Sequence, residues 1–410
     1  MYFMNLSKPQ KQIIILYGST LAGLLLGVVS SVLNTRSLDP VQYGDVRYVQ
    51  NIISFVSSLL LVGYFTSGSR LLALSIDEKH SRKIRGAMCF ILGMTWFMMG
   101  VIMFTLYCGS LASEDSNLSG LYLCSIPLGG NVLLLNYVNT TAQGDNHIGR
   151  MAIARLVPTA LYIVCAGVVY NLYGASPVKM LVFHNGISIF VLLLVIVSTK
   201  PDFRELKNSL RELNEENKRY GFNVYIGSVA GVSTSYIAGI MLGQLCSDNA
   251  DVGFYTLSVT LSTPLSMLPS IIGTTYFKRF ATQEEISRKV LYTSFGVSIF
   301  SLIVFIIFID LVVEFLYNAN YKSVSLYASL LAVGSALHGL GDIFNRFLGS
   351  HGQGQYLRNG AMICGAVTLF GSIVFTYLWQ IYGAILAKNL GSLAYLLMMI
   401  SYYVKYRNKT

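Results

Sequence analysis

The stretch "NTRSLDPVQYGDVRYVQ", residues 34–50, sets Arg36 and Arg47 on either side of a short turn. A guanidinium is planar and donates paired hydrogen bonds, which suits the oxygens of a phosphate or a carboxylate. The two arginines therefore offer anion binding. Two other roles fit the same residues: snorkelling to lipid headgroups, or pairing with Asp39 and Asp45 of the same stretch. A second constellation stands in "LHGLGDIFNRFLG", where His338, Asp342 and Arg346 are spaced four apart and share one helix face. There Arg346 would contact an anion, with Asp342 or His338 titrating for ion coupling. A structural Asp342–Arg346 pair is the alternative. Arg155 offers a further cation, reaching either a cavity or the inner headgroups, and His184–Asn185 reads as a packed, hydrogen-bonded polar pair.

The surrounding sequence decides what can position these groups. Of 410 residues, 54% are hydrophobic and 12% charged, about half the charge of a soluble domain. Apolar runs of about 20 residues, the thickness of a bilayer core, recur along the whole chain. They predict an all-α integral membrane protein of about twelve helices, near 12–34, 46–69, 86–107, 120–142, 151–172, 178–199, 222–246, 254–277, 289–312, 323–348, 359–379 and 383–404. The first run is too long for a signal-peptide core and reads as a retained helix. With the N-terminus inside, all but five of the 29 lysines and arginines fall on the cytoplasmic side. The exceptions are Arg36, Arg47, Lys179, Lys322 and Lys388. This positive-inside bias puts both termini in the cytoplasm, and it accounts for the net charge of +10 without nucleic acid. Lys179, Lys322 and Lys388 read as anchors at helix ends. The six cysteines form no CxxC pair and suggest neither a metal nor a redox site.

One polar segment interrupts the pattern. In "KPDFRELKNSLRELNEENKRY", Phe203, Leu206, Leu210 and Leu213 recur at helical spacing, as in an interfacial amphipathic helix. It divides the chain into a six-helix lobe over 1–199, a cytoplasmic linker over 200–221 and a second six-helix lobe over 222–410. The halves resemble each other. At a shift of 209, Gly18 meets Gly227, Ser19 meets Ser228 and Arg70 meets Arg279. At 206, "SRKI" (81–84) meets "SRKV" (287–290). Matches at nearly one offset and equivalent positions indicate a repeat. Each half starts inside, so the expected symmetry is a pseudo-two-fold axis along the membrane normal, with a central cavity and alternating access.

Several stretches carry a family likeness: "LNTRSLDPVQYGDVRYVQNIISF", "LLLVGYFTSGSRLLA", the basic loop "DEKHSRKIRG" and "TAQGDNHIGR" after the fourth span. With the six-plus-six arrangement, they make the chain resemble the polysaccharide flippases of the MOP superfamily, the Wzx-type O-unit transporters. The resemblance implies transfer of an undecaprenyl-diphosphate-linked oligosaccharide, an O-antigen or capsule unit, across the bacterial inner membrane. It implies no enzyme, no cofactor beyond a proton or sodium gradient, and the polysaccharide polymerase and chain-length regulator as partners. It makes Arg36 and Arg47, at the first two helices, substrate-binding residues, to which the reading of the residues themselves adds Arg155 and Arg346. No P-loop, zinc-binding helix or nucleophile elbow is present. A cation-coupled multidrug exporter of the same superfamily is the rival, and would need carboxylates within the first six spans. None stands near mid-membrane there.

Overall fold

The computed structural model describes residues 8–112 and 116–408. Residues 113–115 and both chain ends lie outside the described residues. The described residues form helices and no strand. The first half comprises α1 (Lys8–Ser37), α2 (Pro40–Leu60), α3 (Tyr64–Leu74), α4 (Glu78–Ala112), α5 (Ser116–Leu128), α6 (Asn131–Gly144), α7 (Ile148–Tyr173) and α8 (Pro177–Ser198). Then come α9 (Leu206–Glu216), a π-helical turn (Asn217–Gly221), α10 (Phe222–Leu245), α11 (Ala250–Phe280), α12 (Arg288–Leu316), α13 (Ser323–Ser350) and α14 (Gly354–Arg407).

Among the described residues, eight helical segments are long and apolar enough to cross a membrane, or nine if the bent pair α2–α3 is one span. The 54-residue α14 contains two of the expected spans, because its backbone leaves helical geometry at Trp379 and Gln380. Its halves run antiparallel: Gly383 abuts the Phe375 carbonyl, Gly371 abuts Ala387 and Gly391 abuts Thr368. α10 and α11, 24 and 31 residues long, stand where the seventh and eighth helices are expected.

Local chemistry explains the breaks. Pro127 and the Gly129–Gly130 pair separate α5 from α6, and Trp96 Nε1 donates to the Pro127 carbonyl at 3.1 Å. The turn between α1 and α2 is only Leu38 and Asp39. Pro40 takes the first helical position, and Asp39 Oδ1 accepts from the Gln42 amide at 2.9 Å. Gln42 Oε1 reaches back to the Asp39 amide at 3.4 Å, closing a reciprocal cap.

The chain forms two compact units, Met1–Leu38 with Ile52–Val229, and Asp39–Asn51 with Ala230–Thr410. Residues 39–51 thus group with the second half of the chain rather than with the neighbours to which the expected lobe of 1–199 joined them. Their packing shows why. Gly44 lies so close to Asn249 that an added Cβ would sit 1.7 Å from its carbonyl oxygen. Asn249 Nδ2 donates to the buried Asp45 at 2.7 Å. Tyr43 meets Tyr321 edge-on.

The polar linker is helical over a shorter stretch than its pattern predicts. Pro201 precedes it, the Asp202 amide is tied to the Arg82 carbonyl, and Glu205 is left-handed at φ 55°. The helix therefore starts at Leu206, and Phe203 stays outside it, exposed. Leu213 is fully buried within the first unit.

Candidate functional site

The first unit holds a cavity of about 470 Å³ between α1, α6, α7 and α8. Its polar lining is Thr20, Asn131, Arg155, Thr159, His184 and Ser188. Space for it arises where α1 carries Gly23, beside the Arg155 stem, and α7 carries Pro158. Arg155 donates from Nη1 to Thr20 Oγ1 at 2.8 Å. No ion pair among the described residues includes Arg155, and none of the described residues that line the cavity is a carboxylate. Arg155 and His184 are its ionisable lining groups. Beside it, Asn131 Nδ2 donates to Asn185 Oδ1 at 3.1 Å, and His184 Nδ1 lies 3.1 Å from the same oxygen. His184–Asn185 is thus the hydrogen-bonded pair the sequence suggests, with Asn131 as a third member. His184 also packs edge-on against Tyr162, whose hydroxyl donates to Asn34.

An arginine at the centre of a membrane helix costs about 2.5–3.5 kcal/mol on insertion scales, and less near a helix end; Arg155 is half-buried, two turns into α7. Among the described residues its compensation is one neutral hydroxyl. The cavity is therefore suited to an anion and poorly suited to a cation.

Arg36 and Arg47 belong to different units. Arg36 stands exposed in the last turn of α1, in the first unit. Arg47 lies on the part of α2 that groups with the second unit. Its Nε donates to Tyr43 Oη and its Nη1 to Gln50 Oε1, both at 2.8 Å, and the guanidinium lies 4.9 Å from the Tyr43 ring centre. Asp45 instead accepts from Asn249, and no ion pair among the described residues includes Arg47. The Arg47 fork is thus held in orientation by neutral partners, with N–H donors to spare.

The third group is on α13 in the second unit. His338 stacks on Tyr395, with ring centres 4.5 Å apart and planes 19° from parallel. The Tyr395 hydroxyl donates to Asp342 Oδ1 at 3.0 Å. Gly341 permits this approach, since an added Cβ would lie 2.7 Å from the Tyr395 ring. Arg346 is not part of the group. Its stem packs against Gly273 of α11, its head is exposed, and no Asp342–Arg346 pair forms among the described residues. His338 and Asp342 meet through Tyr395, which nothing in the sequence singles out beyond the small Gly391 and Ser392 that precede it.

Lys179 ties down a helix end as expected, donating to the carbonyls of Tyr173 and Gly174. The motifs "DEKHSRKIRG" and "TAQGDNHIGR" also come together. Asp145 bridges Arg85 and Arg150 at 2.9 and 3.1 Å, Arg85 also pairs with Glu78, and the Arg85 and Asp145 side chains are 5% and 6% exposed. These motif charges hold α4, α6 and α7 together and leave the cavity free.

These features define a class: an all-helical, multi-pass membrane protein with the fold of the MOP superfamily transporters. The lipid II flippase MurJ, in an inward closed conformation, matches with a TM-score of 0.73 at 12% identity, over 97% of this chain and 89% of that one. An inward-facing multidrug resistance transporter of the MATE family matches at 0.71 and 13%, over 94% of both chains. A MOP superfamily transporter from Pyrococcus furiosus, described as having a binding pocket of reversed polarity, matches at 0.58 and 11%, over 98% of this chain and 97% of that one. Identities this low carry the fold alone. No curated protein matches the chain. The chain belongs to the polysaccharide biosynthesis protein family, whose model matches residues 10–282.

Proposed function

We propose that this protein is a flippase that carries an undecaprenyl-diphosphate-linked oligosaccharide, an O-antigen or capsule repeat unit, across the bacterial inner membrane by alternating access. The observation that supports it most is the first-unit cavity, where Arg155 stands without a carboxylate counter-charge among the described residues. A diphosphate or acidic sugar supplies the charge that this site lacks. A cation exporter would need the opposite sign. The lipid tail stays in the bilayer, whereas the anion needs fixed donors, because an ion stripped of water in hydrocarbon is prohibitively unfavourable. Arg36, Arg47 and Arg346 join Arg155 as substrate contacts in this reading, and Arg47 is pre-oriented by Tyr43 and Gln50. Asp342 and His338, linked through Tyr395, are the proposed coupling site for a proton or sodium gradient. Both termini face the cytoplasm, and the polymerase and chain-length regulator act on the delivered unit. No step is enzymatic.

Deleting the gene in its own host tests this. The proposal expects loss of surface polysaccharide, build-up of the lipid-linked unit inside, and recovery on re-expression. Unchanged polysaccharide with heightened sensitivity to cationic drugs would instead establish the exporter.

A further inference from the structure

The second span is broken. The axes of α2 and α3 differ by 59° across residues 61–63. The break is not locally comfortable. Val62 has φ 43° and Gly63 φ 82°, and a β-branched residue in the left-handed region is an outlier. Its counterpart in the repeat, at the shift of 209, falls inside α11, which is continuous from Ala250 to Phe280. The bend is thus peculiar to one half, as is the polar linker.

The two peculiar elements are in contact. Asn217, buried in the π-helical turn that ends the linker, donates from Nδ2 to the Val62 carbonyl at 3.1 Å. Its Oδ1 lies 3.1 Å from Ser67 Oγ on α3. Tyr225, shortly beyond that turn, donates to the Leu59 carbonyl at 2.7 Å. Gly63 and Gly221 face each other so closely that a Cβ on Gly63 would lie 2.6 Å from the Gly221 carbonyl. On the α3 side, Tyr64 donates to Asn214, and Arg70 pairs with Glu216 and lies over Tyr220. Linker groups therefore grip the chain on both sides of the break. A π-helical turn widens the backbone by one residue, and here it is the turn that presents the Asn217 side chain to the break.

We infer that Asn217 and Tyr225 form a latch that holds the α2–α3 bend, so that the linker sets the geometry of the second span during transport. α2 itself is shared between the two compact units, residues 40–51 in one and 52–60 in the other. Asn217 acts through the backbone at Val62 and is a positioning residue. The functional consequence, though not the latch itself, rests on the flippase reading.

Spin labels at Ser54→Cys and Leu74→Cys, in full-length protein whose native cysteines are replaced, report the bend by pulsed EPR in lipid nanodiscs without substrate. Wild-type linker should give one short distance. Asn217→Ala should add a longer, straightened population, and Asn217→Ala/Tyr225→Phe a larger one. If Asn217→Ala does not insert, Tyr225→Phe alone should still shift the distribution. An unchanged distribution in these variants overturns the latch, whatever the substrate is. A shifted distribution in a protein whose wild type moves no lipid-linked glycan supports the latch and refutes the flippase reading.

Discussion

The Tyr395 hydroxyl on α14 donates a 3.0 Å hydrogen bond to Asp342 on α13. The aspartate therefore has a neutral partner in place of Arg346, one turn away on its own helix. If Asp342 serves coupling, Asp342→Asn should lower transport at normal membrane abundance. The double reversal Asp342→Arg/Arg346→Asp should not restore it. Tyr395→Phe removes this hydrogen bond, worth about 1.5–3 kcal/mol where the acceptor is ionised, and should change the pH profile of transport while His338 remains in place. Recovery by the double reversal would show that Asp342 and Arg346 form a structural pair.

Among the described residues, Asp145 is the carboxylate that Arg85 and Arg150 share. Removing one member of a buried ion pair costs about 3–5 kcal/mol, because its partner stays buried and unpaired. Asp145→Ala should therefore lower the thermal unfolding midpoint and membrane abundance sharply. Arg85→Met/Asp145→Leu should recover much of the loss. Equal midpoints for Asp145→Ala and wild type would show that this network does not hold the helices together.

Gly44 has no room for a side chain beside Asn249. Gly44→Ala should cost on the order of 1–3 kcal/mol through overpacking and loosen the hold on residues 39–51. Hydrogen exchange checks this directly: amides of 40–51 should exchange faster in the variant, with α4 unaffected.

Arg47 is expected to act through its fork as well as its charge. Arg47→Lys keeps the charge but loses paired donation, and Arg47→Gln loses the charge. One charge-assisted hydrogen bond of about 1.5–3 kcal/mol corresponds to about 10- to 150-fold in affinity. Glycan translocation should fall in the order wild type, Arg47→Lys, Arg47→Gln. Normal display by Arg47→Gln at normal abundance would show that this arginine does not hold the anion.

The helices were legible because their signal is summed over some twenty residues each. A stretch such as residues 302–309 of α12, apolar at every position, continues an apolar pattern far too long for a strand. The cap at Asp39, Pro40 and Gln42 was equally local, and it places the turn between Arg36 and Arg47 where the sequence does. The break at Val62 and Gly63 was not legible. No proline marks it, and the groups that grip it, Asn217 and Tyr225, lie 155 and 166 residues away along the chain from the carbonyls they hold. The same holds for Tyr395, which joins His338 to Asp342 from another helix. Helical spacing showed that His338, Asp342 and Arg346 share a face. It could not show that Arg346 packs its stem on Gly273 of α11 while Asp342 turns to α14. Asn131 is not legible in the sequence, because one amide in an apolar span is weak signal until its neighbours across the bundle are known.

Whether Arg155 stands in a site for the anion of a lipid-linked glycan is tested most directly in proteoliposomes. Translocation of an undecaprenyl-diphosphate-linked oligosaccharide would be read by lectin access from outside, for wild type, Arg155→Lys and Arg155→Gln. The expected result is protein-dependent translocation by wild type, partial activity for Arg155→Lys, a loss of about tenfold or more for Arg155→Gln, and no transport of a cationic dye by any of them. Dye transport by wild type, with glycan translocation absent or indifferent to Arg155→Gln, would contradict the anion site and the flippase reading with it.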